Sequence, residues 1–242
     1  MPKNVNPYKD SGQSKKEQVE RMFDTISGEY DGLNRVISFG IDVKWRKKVV
    51  KKVASTQPKS ILDVATGTGD LAISMAATGA QEIIGLDISA GMLDVGRKKI
   101  ASRGLEGKIT MLQADSENLP FENDHFDAIT VAFGVRNFEH LKKGLAEILR
   151  VLKPGGVFVV LETSVPTKTP FKQGYKFYSN QLLPLIGKMF SKDRDAYAYL
   201  SKSAAVFPFG EDFNNILREI GFKNVRNDPQ TFGVATIYTA SK

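Results

Sequence analysis

The residues best suited to chemistry lie together in one stretch of this 242-residue chain. Ile61-Leu62-Asp63-Val64 is apolar but for a single carboxylate, and it runs into Ala65-Thr66-Gly67-Thr68-Gly69-Asp70, a glycine-rich turn followed by helical periodicity. A strand that ends in such a turn and opens a helix presents bare backbone N–H groups and a positive helix end to a polar or anionic ligand. Gly67-x-Gly69-x-x-Ala72 meets the dinucleotide spacing, and Asp87 stands where a carboxylate takes ribose hydroxyls. Asp63 occupies the exit of the strand, immediately before the loop. A carboxylate there would repel a pyrophosphate but would accept hydrogen bonds from an ammonium group. A ligand with an adenosine ribose, a positive amino-acid end and no phosphate fits better, and S-adenosylmethionine is that ligand. A nicotinamide dinucleotide stays open if Asp63 points away.

Further along the chain come Asp115-Ser116, whose carboxylate can accept from an adenine amine, then Leu119-Pro120-Phe121, Phe126-Asp127-Ala128-Ile129 and Leu149-Arg150-Val151-Leu152-Lys153-Pro154-Gly155-Gly156. In this order and spacing they resemble the class I S-adenosylmethionine-dependent methyltransferases. Phe23-x-x-Ile26-x-x-x-Tyr30-Asp31-x-x-Asn34-x-x-x-Ser38-x-Gly40-x-x-x-x-Trp45-Arg46, Phe133-Gly134-Val135-Arg136-Asn137 and Asp195-x-Tyr197-x-Tyr199-Leu200 narrow the likeness. With the glycine turn, they resemble the UbiE/MenG family, C-methyltransferases of menaquinone and ubiquinone biosynthesis. One departure is Ala132, where some relatives carry serine.

The resemblance implies S-adenosylmethionine as cofactor and a polyprenylated quinol such as demethylmenaquinol as substrate; a benzoquinol of ubiquinone synthesis is the alternative. Within it, Asp63, Gly67, Thr68 and Gly69 are expected to hold the methionine end, Asp87 the ribose, Met92 the adenine face, and Asp115 and Ser116 the adenine edge. The sulfonium methyl is already electrophilic, so the enzyme must make a ring carbon nucleophilic and align it. Arg136 and Asn137 follow the strand Phe126–Phe133, at the end where open α/β sheets bind ligands. Arg136 is expected to stabilise the developing phenolate and Asn137 to orient the hydroxyl. Arginine holds its proton too firmly to serve as the base, which leaves a water or Tyr30 to relay the proton. His140, at the start of a helix, is expected to face solvent or cap, and His125 to be exposed.

The elements that must position these residues alternate. Strands are predicted at 60–64, 82–87, 108–113, 126–133 and 157–162, and helices at 70–78, 90–102 and 141–152. That order gives an α/β fold, a Rossmann-like sandwich on a mostly parallel seven-stranded sheet. A helix at 212–220 and strands at 222–227 and 232–240, joined by a turn at Asp228-Pro229-Gln230, close it with an antiparallel hairpin. A single domain is expected: an N-terminal helical cap over 1–57, a cofactor core over 58–165, a helical substrate cap over 166–208 and the closing helix and hairpin over 209–242. In the substrate cap, Phe171, Tyr175, Tyr178, Leu182, Leu185 and Met189 recur at helical spacing, widened by Phe177, Leu183 and Phe190, with Pro184 as a kink. Such a stripe is core by default, and it also suits a lid over a prenyl tail.

Composition sets the outer bounds. Cysteine is absent and only two histidines occur, so thiolate chemistry, disulfides and Cys- or His-based metal sites are excluded and no metal is expected. The N-terminus lacks the apolar core of a signal peptide, and no uncharged apolar run approaches the roughly 20 residues of a membrane span. A cytoplasmic protein is expected. The net charge of +7 resides almost wholly in the first 59 residues, centred on Lys44, Arg46, Lys47, Lys48, Lys51 and Lys52. If this segment is a helix, Trp45, Val49 and Val53 share its buried face and the cations point outward. That outer face is either solvated or adsorbs to an anionic membrane. No nucleic-acid partner is expected, and a homodimer is left open. The rivals are a nucleic-acid methyltransferase, a small-molecule O- or N-methyltransferase and a nonenzymatic S-adenosylmethionine-binding scaffold.

Overall fold

The computed structural model describes residues 5–8, 12–182 and 193–242. Seven strands form one sheet in the order β3-β2-β1-β4-β5-β7-β6. They are β1 (Ser60–Val64), β2 (Glu82–Asp87), β3 (Ile109–Gln113), β4 (Phe126–Ala132), β5 (Leu152–Thr163), β6 (Lys223–Gln230) and β7 (Ala235–Ser241). The pairs among β1 to β5 are parallel, and β7 runs antiparallel to both β5 and β6. The α/β sandwich expected from the strand–helix alternation is present, closing hairpin included.

All five residues of β1 are buried, as a central strand covered on both faces requires. Alternation along β1 sends Leu62 and Val64 into the core beneath α6 (Leu141–Val151) and α9 (Glu211–Ile220). Ile61 goes to the opposite core, with Val49 and Val53 of α3 (Ile41–Ala54), Leu71 of α4 (Asp70–Met75) and Leu93 of α5 (Ala90–Ala101). Asp63 therefore points to the α3–α4–α5 side. A third, smaller core joins α1 (Lys15–Ile26) and α2 (Tyr30–Ser38) to Met92 of α5 and to Ala196 and Tyr199 of α8 (Arg194–Val206). This core seats the N-terminal cap over the C-terminal ends of the strands. α1 begins with a reciprocal capping box between Ser14 and Glu17.

The turn placed at Asp228-Pro229-Gln230 is part of β6, and the chain reverses instead through Thr231-Phe232-Gly233. Proline is tolerated because β6 is the edge strand, where an absent N–H breaks no ladder bond on the open side. In the basic segment Trp45, Val49 and Val53 are buried as predicted, but Arg46 turns inward to its i−4 neighbour Asp42. Lys48 donates to Gln230 at 2.5 Å and Lys52 lies 3.7 Å from Asp228, so the outward charge is carried by Lys44, Lys47 and Lys51. The predicted substrate cap starts with α7 (Phe171–Phe177) and a π-helical turn, Tyr178–Leu182. Leu183, Pro184, Leu185, Met189 and Phe190 lie outside the described residues.

Candidate active site

The glycine turn after β1 is held in left-handed backbone: φ is 52° at Ala65, 57° at Gly67 and 77° at Gly69. At Ala65 that conformation is costly for a residue with a Cβ, and Phe133, at the end of neighbouring β4, is left-handed too (φ 58°). Strain of this kind clusters where the fold overdetermines a functional loop. The Gly67 N–H donates to Asp87 Oδ2 at 2.8 Å and the Ser89 N–H to Oδ1 at 2.9 Å, tying the turn to the end of β2. Burial raises the Asp87 pKa, opposed by these N–H groups.

A cavity opens here between the C-terminal ends of the strands and the cap. Gly67, Asp87, Met92, Asp115, Ser116, Asn137 and Tyr30 all line it, so seven of the eleven predicted site residues come together. Asp115 meets Lys16 of α1 at 3.1 Å across its rim. Ala132 is also on the wall.

The other four stand elsewhere. Asp63 lies behind the turn, its oxygens taken by the hydroxyls of Thr66 and Thr130, each at 2.6 Å, and burial pushes its carboxyl up to about 6. It braces the loop and does not line the cavity, which leaves standing the condition under which a dinucleotide was kept open. Thr68 is buried and donates to Asp31 of α2 at 2.6 Å, while Lys99 reaches Asp31, Thr68 and Asp70. Gly69 caps α4, and a Cβ on it would stand 3.2 Å from Met111 Cε. Arg136 faces a second cavity.

That second cavity, of about 200 Å³, is walled by Trp45, Phe133, Tyr175 and Tyr178, and shares Tyr30 and Phe133 with the first. Arg136 lines it from the turn after β4. Its Nη1 donates to the Phe133 carbonyl at 2.7 Å and to Glu162 Oε1 at 2.5 Å. Burial alone would lower the Arg136 pKa, but Glu162 beside it holds the guanidinium charged. Asn137 lines the first cavity instead, and its Oδ1 accepts from Tyr199 at 3.2 Å. Burial raises the phenols of Tyr30 and Tyr199, so both stay protonated and act as donors. His140 precedes α6 and its ring lies 3.0 Å from Glu117; His125 is exposed against Phe121.

Glu162 and Asp31 were missed from sequence. Glu162 had a signal: it is an acid that follows the apolar run Val157-Phe158-Val159-Val160-Leu161 at the C-terminal end of β5, the place Asp63 holds in β1 and Asp87 in β2. Asp31 stands in the Tyr30-Asp31 motif, but its role was not legible because its partners Thr68 and Lys99 are distant in the chain.

The same architecture is found in solved structures. The [4+2]-cyclase SpnF superposes with a TM-score of 0.68 at 18% identity, over 94% of this chain and 96% of that one. An S-adenosylmethionine-dependent methyltransferase from Aquifex aeolicus gives 0.57 at 17% identity, over 81% and 88%. Sequence relatives are nearer. A protein of Bacteroides fragilis named demethylmenaquinone methyltransferase is 47% identical over 239 residues, covering 98% of this chain and 97% of its own. One of the same name from Porphyromonas gingivalis is 41% identical, covering 100% and 99%. The ubiquinone/menaquinone biosynthesis C-methyltransferase UbiE of Geotalea daltonii is 46% identical, covering 94% and 97%. The profile of the ubiE/COQ5 methyltransferase family matches residues 11–242, and with it the choice between dinucleotide and methyl donor is decided: the chain belongs to the ubiE/COQ5 methyltransferase family.

Proposed function

We propose that the chain methylates a ring carbon of a polyprenylated quinol, converting demethylmenaquinol to menaquinol with S-adenosylmethionine as donor. The observation that carries this reading is the shared wall. Tyr30 and Phe133 border both the polar cavity at Asp87 and the aromatic cavity at Arg136, so a donor in one meets a ring in the other. The relatives named demethylmenaquinone methyltransferase support the naphthoquinol. The Geotalea relative's name also covers ubiquinone synthesis, which makes a benzoquinol the second reading.

The residues present suit the donor. Asp87 is a buried carboxylate at the ribose position, Met92 offers an apolar face for the adenine, and Asp115 and Ser116 meet its edge. The Gly67 turn receives the methionine end, shaped from behind by Asp63, Thr68 and Gly69. When bound, S-adenosylmethionine supplies an electrophilic methyl group. The chain's own work is to orient the ring and raise the electron density of one carbon. Arg136 stabilises the quinolate charge, Tyr30 on the shared wall fixes the hydroxyl with Asn137 reaching it from the first cavity, and Trp45 and Phe133, packed against each other, give the ring an aromatic wall.

The prenyl tail leaves toward a membrane. Phe39, Phe177 and Phe232 are 74%, 62% and 67% exposed, beside the outward Lys44, Lys47 and Lys51 of α3, a surface suited to an anionic bilayer. No helix among the described residues is long and apolar enough to cross one. We propose peripheral attachment at the cytoplasmic face.

The test is methyl transfer from ¹³C-methyl-labelled S-adenosylmethionine to reduced demethylmenaquinone, with the product read by NMR. A carbon-bound methyl on the quinone ring is expected. An oxygen-bound methyl makes the chain an O-methyltransferase and overturns the reading.

A further inference from the structure

Methylating a ring carbon releases one proton, and the groups placed nearest the ring are poor takers of it. Arg136 is a guanidinium, and burial keeps Tyr30 and Tyr199 protonated. Asp42, on the aromatic cavity wall, has both oxygens engaged, one by Ser38 and one by Arg46. Behind the same wall lies Glu162, fully buried at the end of β5. Its bonds to the described residues all fall on one oxygen. Oε1 accepts from Arg136 Nη1 at 2.5 Å, from the Thr163 N–H at 2.7 Å and from the Thr163 hydroxyl at 3.1 Å. Among the described residues Oε2 has no partner, and neither has Arg136 Nε.

Buried carboxylates that serve only to hold a fold have their oxygens met, because an unmet charged oxygen is expensive. The unmet Oε2 leaves a carboxyl oxygen open to a further partner, and the spare Nε–H of Arg136 leaves the guanidinium with donors to offer another anion. Thr163 joins the two regions: it lines the aromatic cavity and its hydroxyl already donates to Glu162.

We propose that Glu162 is the proton acceptor of the reaction, reached through the Thr163 hydroxyl and balanced by Arg136. The inference rests on the quinol reading above. The quinol O–H bond breaks as its proton passes to Thr163 Oγ1, and the proton of Thr163 passes to Glu162 Oε1. Arg136, freed from that oxygen, turns its charge to the quinolate. One ion pair, Arg136 with Glu162, is exchanged for another, Arg136 with the quinolate, and the buried site carries no net charge before or after. The adjacent ring carbon then bonds to the methyl carbon as the bond from that carbon to sulfur breaks, its electron pair staying on sulfur. The ring carbon loses its own hydrogen as a proton to water, and Glu162 returns its proton to the ring oxygen. One proton leaves per methyl transferred.

The groups facing Glu162 are Arg136 from the turn after β4, Tyr199 of α8 and Tyr238 of β7; Arg136 is in turn faced by Tyr30 of α2, Tyr175 of α7 and Lys15 of α1. Burial raises all four phenols and lowers Lys15.

The experiment measures kcat, KM and cofactor affinity for wild type, Glu162→Gln, Glu162→Ala, Thr163→Val and Thr163→Ser with reduced demethylmenaquinone from pH 6 to 9. For Glu162→Gln we expect kcat about 100-fold lower at pH 6, climbing about tenfold per pH unit as solution takes over deprotonation, with cofactor affinity within about twofold of wild type. Added formate restores Glu162→Ala. Thr163→Val loses at least tenfold in kcat and Thr163→Ser keeps the wild-type rate. A Glu162→Gln profile parallel to wild type, or full activity in Thr163→Val, overturns the relay. Should the Glu162 variants fail to fold, the Thr163 pair decides alone. Wild type that methylates no quinol at all defeats the substrate reading instead, and the relay with it.

Discussion

Gly134, between Phe133 and Arg136 in the turn after β4, packs against the turn after β1 so closely that no side chain fits. A Cβ there would lie 2.5 Å from Ala65 Cβ and 2.9 Å from Val131 Cγ1. Neither neighbour can retreat: Val131 is fully buried in the core, and Ala65 is already held in left-handed backbone by the strands on either side. Gly134→Ala therefore forces the two turns apart, and overpacking of this kind costs about 1–3 kcal/mol. For a chain of this length, each kcal/mol lowers Tm by about 2–4 °C. Ala65 and Gly134 both line the cavity proposed for the cofactor, so S-adenosylmethionine affinity is expected to fall together with Tm, by about tenfold or more. Gly174→Ala is the control. Gly174 is inside α7 with nothing within 4 Å of its Cβ position, and the substitution raises helix propensity by up to about 1 kcal/mol. Differential scanning calorimetry and cofactor titration on both variants are the assays. A Gly134→Ala protein with wild-type Tm and cofactor affinity would refute the packing of the two turns on which the site depends.

Three further outcomes are expected. Asp87→Ala removes the carboxylate that holds the Gly67 N–H and faces the ribose position, and isothermal titration shows cofactor affinity at least 10–100-fold lower; unchanged affinity contradicts the cofactor map. Asp63, whose carboxyl is pushed up to about 6 in the fold from about 4 unfolded, binds its proton more tightly when native. Its contribution is fully present below pH 4 and is lost as pH rises to 6, costing about 3 kcal/mol. Urea titrations from pH 4 to 7 show that slope in wild type and not in Asp63→Asn. Lys44→Glu, Lys47→Glu and Lys51→Glu together, or Phe39→Asp alone, abolish cosedimentation with vesicles rich in anionic lipid while activity on a short-tailed quinol persists. Unchanged cosedimentation refutes that face as the membrane surface.

How far the sequence carried depends on how local each signal is. The α/β order was readable because strand and helix periods alternate between residues 60 and 163, and the glycine turn was readable because positive φ leaves glycines at fixed spacing. The hairpin was found but its turn misplaced, since Asp-Pro resembles a turn and only the sheet order reveals that β6 is an edge. Asp63 was assigned to the ligand because it abuts the loop in sequence. Its alternation along β1 turns it to Thr66 and Thr130. Arg46 was counted among surface cations because Asp42 four residues earlier was not weighed as its partner. Arg136 and Asn137 are adjacent in the chain yet serve different cavities, a division that depends on the left-handed turn at Phe133 and on Glu162 and Tyr199. Pairings across more than twenty residues leave no trace in a single sequence.

The most direct measurement is transfer of labelled methyl from S-adenosylmethionine to reduced demethylmenaquinone and, in parallel, to a demethoxy-type benzoquinol, by wild type and by Arg136→Ala. Wild type is predicted to methylate the naphthoquinol on carbon, and Arg136→Ala to bind the cofactor normally while losing at least about 100-fold in kcat. Cofactor binding by wild type without methylation of either quinol would contradict the account.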